Sequence, residues 1–108
     1  MCVIYAIINY KLNQLSILIM EKFIVFGKYC DDAIIKREPY REEHLARLSN
    51  IKEKNILITL GPTKCSKYLF GILNGNNENE VRILLEKDIY WEKGIWISLD
   101  IYPWIQVF

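Results

Sequence analysis

Four short apolar runs are separated by two stretches of helical spacing, and that order leaves the chain few ways to fold. Residues 23–27, FIVFG, form a continuous apolar run that reads as a strand covered on both faces. Residues 28–38 are polar, carry the adjacent acids Asp31 and Asp32, and read as a loop. Pro39 suits the first turn of a helix, where its missing N–H costs nothing, and the helix is expected to run to Lys54 or Asn55. Leu45, Leu48 and Ile51 or Lys52 share one of its faces. Residues 56–60 read as a second strand stopped by Gly61-Pro62, and residues 68–73 as a third, ended by Asn74-Gly75-Asn76-Asn77. A second helix is expected to start between Asn77 and Asn79, with Glu78 and Glu80 at its positive end and Val81, Leu84 and Leu85 as its buried stripe. Gly94 closes that region, and residues 95–101 read as the fourth strand, ended by Tyr102-Pro103-Trp104. The order strand, helix, strand, strand, helix, strand (βαββαβ) is the split βαβ, ferredoxin-like plan of an α+β protein.

Such a plan puts both helices on one face of the sheet, so the other face must be polar or find a partner. Strict alternation along the fourth strand sends Ile95, Ile97, Leu99 and Ile101 one way and Trp96, Ser98, Asp100, Tyr102 and Trp104 the other. Two tryptophans and a tyrosine are costly to leave in water. A second sheet packed on them, giving a homodimer, is the expectation; the competing one is a monomer with half-exposed aromatics.

The length of 108 residues is that of one domain, and the 52% hydrophobic content is enough for a small core. With 14 Lys+Arg against 13 Asp+Glu there is no electrostatic case for nucleic acid or for an acidic membrane surface as partner. The three cysteines, Cys2, Cys30 and Cys65, are odd in number and lack C-x-x-C spacing, which argues against a disulfide framework or a zinc site and for reduced thiols in the cytoplasm. Residues 1–19 differ from the rest: Lys11 is their only charge, and every acid lies beyond them. They have neither the basic start and small-residue cleavage site of a signal peptide nor an uninterrupted apolar span, since NYKLNQ breaks the run. They are expected to be an N-terminal appendage, with residues 20–108 as the domain; a weak interfacial anchor is the alternative.

Two polar residues disturb the apolar stripes. His44, the single histidine, lies on or beside the inward face of the first helix. Asp88 continues the buried stripe of the second helix, where a carboxylate near the negative helix end is unfavourable unless paired. If both face one layer, the carboxylate would fix the imidazole tautomer and raise the basicity of its other nitrogen. The alternative is that Asp88 only caps the turn into Ile89-Tyr90. Asp31 or Asp32 could also supply an acid, and Cys30 and Cys65 are weaker candidates as nucleophiles. No Gly-rich phosphate loop, G-x-S-x-G or metal-ligand spacing occurs, so no cofactor and no metal are expected.

Three stretches, FIVFGK (23–28), YREEHLARLSNIKEKNILITLGP (40–62) and DIYWEKGIWISLDIYPWIQVF (88–108), together resemble the YciI-like (YCII-related domain) family. The resemblance spans residues 21–108 and rests on an Arg-x-x-His-Leu helix, a strand ending in Gly-Pro, an Asp-Pro-Tyr segment with a Gly four residues on, and a final strand ending in Pro-Trp. It implies a ferredoxin-like monomer that pairs into a dimeric α/β barrel, with a pocket between sheet and helices that holds a histidine–aspartate acid–base pair. Carried over residue by residue, His44 and Asp88 take the catalytic positions. Arg41, Gly61, Pro62 and Tyr90 take positions around a small organic substrate whose identity the sequence does not give. Two departures stand out. Ile89 replaces the proline, and Tyr29 stands where the family commonly has an acid, which leaves Asp31 or Asp32 as rival partners for His44. A relative that removes HCl from a hydroxylated aromatic ring implies that the fold can support lyase chemistry. The expectation is a lyase or hydrolase using His44; the alternative is a ligand-binding or accessory protein whose dimer is the functional unit.

Overall fold

The computed structural model describes residues 20–108; the expected appendage at residues 1–19 lies outside the described residues. Strand β1 (Glu21–Tyr29) is followed by a one-turn helix α1 (Ala33–Lys36), a 3-10 turn (Glu38–Tyr40) and helix α2 (Arg41–Glu53). Strands β2 (Leu57–Pro62) and β3 (Tyr68–Gly75) form a hairpin, and helix α3 (Glu78–Glu86), a one-turn helix α4 (Ile89–Glu92) and strand β4 (Trp96–Trp104) complete the chain. The sheet order is β2-β3-β1-β4, with every neighbouring pair antiparallel. This is the α+β, ferredoxin-like arrangement expected from the order of apolar runs.

The period-2 pattern of β1 decides which face carries the core. Phe23, Val25, Gly27 and Tyr29 are buried and their alternates are not. Leu69 and Leu73 of β3 and Leu99 and Ile101 of β4 join them, and Ile51 of α2 with Val81 and Leu85 of α3 close the layer from above. Asn77 caps α3 by accepting from the Glu80 N–H at 2.8 Å, while the Asn76 N–H donates to the Glu80 carboxylate at 2.8 Å, a reciprocal pairing that starts the helix where the sequence expects it.

Two local expectations are corrected. Gly61 and Pro62 do not stop β2; they extend it, with Gly61 opposite Phe70 and Pro62 opposite Leu69. β2 is an edge strand, so a proline lacking its N–H removes no ladder bond from a second neighbour. The second correction concerns β4. Its pairing with β1 slips between Lys28 and Tyr29, so that Lys28 faces Ser98 but Tyr29 faces Trp96. The extra residue, Ile97, breaks the alternation. Trp96 is therefore turned into the helix-covered layer at 1% exposure, and Ile97, expected inside, is exposed. Gly94, at φ 69°, makes the left-handed turn that launches β4 from α4.

Candidate functional site

His44 sits in the first turn of α2 and is buried, as is Asp88 between α3 and α4. The two side chains meet: His44 Nδ1 lies 2.7 Å from Asp88 Oδ1. A carboxylate can only accept, so Nδ1 carries the proton and, in the neutral ring, Nε2 keeps the lone pair. Asp88 is held by two further donors. The Tyr90 backbone N–H donates to Oδ1 at 2.9 Å, which makes Asp88 the N-cap of α4, and Arg47 donates to Oδ2 at 3.2 Å. The two alternatives left open by the sequence, cap or histidine partner, are both realised by one carboxylate. Arg47 also donates to the Leu84 carbonyl at 2.6 Å, tying α2 to the end of α3. A fully buried carboxylate is expensive unless paired and hydrogen-bonded, and three donors meet that requirement.

The imidazole plane is fixed by aromatic neighbours. Tyr90 stacks on it with centroids 3.6 Å apart and planes 7° apart, and Trp96 meets it edge-on at 5.3 Å. Trp96 and Tyr90 are themselves edge to face at 5.7 Å. Trp96 reaches this cluster only because of the slip in β4. Its buried indole N–H meets no hydrogen-bond geometry with any acceptor among the described residues.

A cavity of about 170 Å³ opens beside the ring. His44, Arg41, Gly61, Pro62 and Tyr90, all singled out from the sequence, line it together, so the extension of β2 places Gly61-Pro62 as one wall. Asp88 lies behind His44 and does not line the cavity. Burial pushes the hydroxyls of Tyr29 and Tyr90 above the ordinary tyrosine value; the Trp96 indole opposes this most strongly at Tyr29, and the guanidiniums of Arg37 and Arg41 pull the same way in both. Both hydroxyls thus enter neutral solution as proton-bearing donors.

Asp31 and Asp32 are placed elsewhere. They line a wider groove at the end of β1, with Cys30 and Cys65, and neither bonds to His44. Cys65 is exposed and its thiol is drawn below the usual range, chiefly by the Thr63 hydroxyl 3.2 Å away. Cys30 and Cys65 are both free thiols, and neither lines the cavity beside His44.

Sequence reasoning missed three side chains. Arg47 lies one helical turn beyond His44 and looks like any solvated helix charge; only the i, i+3 spacing ties it to the histidine. Arg37 falls in a stretch read as loop, and Tyr29 was noted only as a departure from an acid. Both line the cavity.

The fold and the pocket define a ferredoxin-like domain with a histidine backed by a buried carboxylate. The chain belongs to the YCII-related domain family, which matches residues 21–105. Among solved structures it is similar to 5-chloro-2-hydroxyhydroquinone dehydrochlorinase from Burkholderia phenoliruptrix, in complex with 2,5-dihydroxybenzoquinone, at 22% identity and a TM-score of 0.67. That similarity covers 78% of this chain and 93% of the other, and it bears on the fold. No curated protein matches the sequence significantly. Among the described residues, no helix is long and apolar enough to cross a membrane, and no cluster of three or more metal-ligating side chains occurs.

Proposed function

We propose that the protein is a small-molecule acid–base enzyme in which His44 is the general base and Asp88 sets its tautomer. The observation that carries this reading is the 2.7 Å bond from His44 Nδ1 to a carboxylate that is itself held by Arg47 and the Tyr90 N–H. Nδ1 is committed to Asp88, so Nε2 is the nitrogen available to take a proton. Tyr29 and Tyr90 supply hydroxyl donors beside it. Asp88 acts through His44, stabilising the imidazolium that proton abstraction creates. Among the described residues, the cavity lining has no Ser, Cys, Asp, Glu or Lys, and its His44, Tyr29 and Tyr90 suit proton transfer.

Elimination fits that inventory better than hydrolysis. A C–H or O–H proton passes to Nε2, the released electron pair forms the new double bond, and a leaving group such as halide departs with its own pair. The structurally similar bacterial enzyme is a dehydrochlorinase, which favours a lyase on this fold. The test is chloride release from 5-chloro-2-hydroxyhydroquinone, with solvent-deuterium exchange into a panel of activated ring and α-carbonyl C–H acids. Wild type is expected to catalyse at least one of these, and His44→Asn to lose a factor of about 100 or more. A wild type inert across the panel, or an active His44→Asn, would reject the reading in favour of a ligand-binding or accessory role.

We further propose that two copies pair through the open face of the sheet. That face carries Phe26, Tyr68, Phe70, Ile97 and Tyr102, each at least 40% exposed, with Phe26 and Phe70 already in contact across β1 and β3 at 5.5 Å. An aromatic patch of this kind on one side of a sheet is a usual mark of an interface. Phe26→Asp should convert dimers to monomers in sedimentation without lowering the cooperativity of melting. A wild type that sediments as a monomer at micromolar concentration would end this proposal. Residues 20–108 are proposed as the folding unit, with the cytoplasm as its compartment.

A further inference from the structure

We propose that the cavity beside His44 selects a flat, doubly anionic ligand, and that Arg37 and Arg41 are the residues that bind its two anionic ends. The proposal deepens the acid–base reading and rests on that cavity being the small-molecule site. Arg37, between α1 and the 3-10 turn, and Arg41, at the start of α2, line it. Among the described residues neither takes part in an ion pair, whereas Arg47, one helical turn from His44, is spent on Asp88. The Nε atom of Arg37 is buried and has no hydrogen-bond partner among the described residues.

Among the described residues no carboxylate lines the cavity, so none of them balances these two charges within it. Asp88 is already matched by Arg47 and His44 from behind. Partly buried guanidiniums without a counter-ion are costly, and the missing partner is supplied by whatever enters. The charges of both arginines act on Tyr29 and Tyr90, which line the same cavity. The fork of a guanidinium matches carboxylate or conjugated oxyanion pairs in a plane. A volume of about 170 Å³ lies below the usual range for drug-sized ligands, roughly 300–1,000 Å³, which suits a single substituted ring or a short diacid.

The shared chemistry is two anionic oxygens on a flat carbon frame, and it has two sources: a deprotonated hydroxyquinone or a dicarboxylate. Calorimetry with 2,5-dihydroxybenzoquinone, phthalate, benzoate and uncharged hydroquinone separates them. At least one dianion is expected to bind tenfold or more tightly than hydroquinone, with benzoate between, and the dianion that binds identifies the source. Arg37→Gln and Arg41→Gln are each expected to weaken the dianion at least tenfold while melting as wild type does, since neither removes an ion pair. Arg37→Lys should recover only part of the loss, because charge returns without the fork. Equal binding of hydroquinone, dianion binding that neither arginine variant changes, or the absence of dianion binding would overturn the proposal. Dianion binding that depends on both arginines, in a protein that turns nothing over, would reject the acid–base reading and leave this one standing.

Discussion

His44 and Tyr90 lie ring on ring, 3.6 Å apart and nearly parallel, although they come from different helices. The same Tyr90 donates its backbone N–H to the carboxylate that holds the histidine. The residue that stacks on the imidazole therefore also fixes the group that orients it. Rotation of the ring about its own axis would lose the bond to Asp88, and tilting it would lose the stack.

Removing the carboxylate should cost more than removing its charge. Asp88→Ala leaves Arg47, His44 and the α4 N-terminus without their acceptor, and a loss of about 3–5 kcal/mol is expected by chemical denaturation. Asp88→Asn keeps an acceptor oxygen for the cap and should lose clearly less. Equal losses in the two variants would mean that the cap contributes nothing measurable.

Alkaline pH should unfold the protein earlier than a chain with exposed tyrosines. The folded-state values of Tyr29 and Tyr90 are raised above 10.0, mainly by burial. Below pH 10 both states keep these protons and stability is unaffected. As pH rises past 10 the unfolded chain ionises first, so stability falls through the folded-state values. Tyr29→Phe should flatten the decline above pH 10, read as melting temperature against pH.

β1 and β4 approach closely at Gly27. A methyl group there would lie 2.7 Å from the Ser98 carbonyl oxygen, which is backbone and cannot swing aside. Gly27→Ala should destabilise by about 1–3 kcal/mol as an overpacked core site, and it should perturb the Trp96 fluorescence because Ser98 adjoins the slip. A neutral result would show that the two strands can separate at this point.

Cys65 should alkylate before Cys30. Its thiol is exposed and held below the ordinary 9.0 by the Thr63 hydroxyl, while Cys30 is half-buried. Peptide mapping after brief iodoacetamide treatment checks the order, and Thr63→Val should slow the Cys65 reaction near neutral pH.

Deletion of residues 1–19 is expected to leave melting temperature and oligomeric state unchanged. The described core begins at Phe23 and ends at Ile101. A shortened chain that precipitates would reject residues 20–108 as the folding unit.

The order of the four strands and two longer helices and the inward positions of His44 and Asp88 could be read from spacing, because apolar period and end signals are local properties, whereas Arg41 was marked only by the family resemblance. What escaped was set by pairing between distant segments. The slip of β4 depends on how Tyr29 and Lys28 meet it, and strict alternation from Ile95 onward sent Trp96 to the wrong face. Gly61-Pro62 reads as a stop unless the strand is known to lie at a sheet edge. Arg47 becomes informative only once Asp88 is seen across from it. The one-turn helices α1 and α4 are too short to show a period.

The slip at Ile97 makes adjacent residues tenants of opposite sides. Trp96 props the edge of the histidine ring, and Ile97 sits on the outer aromatic patch. A single peptide unit is thus the shortest covalent lever between the two. Whatever covers Ile97 therefore sits one residue from a side chain that touches the imidazole. A substitution at Ile97 is thus the outer-face change that lies nearest along the chain to the histidine cluster.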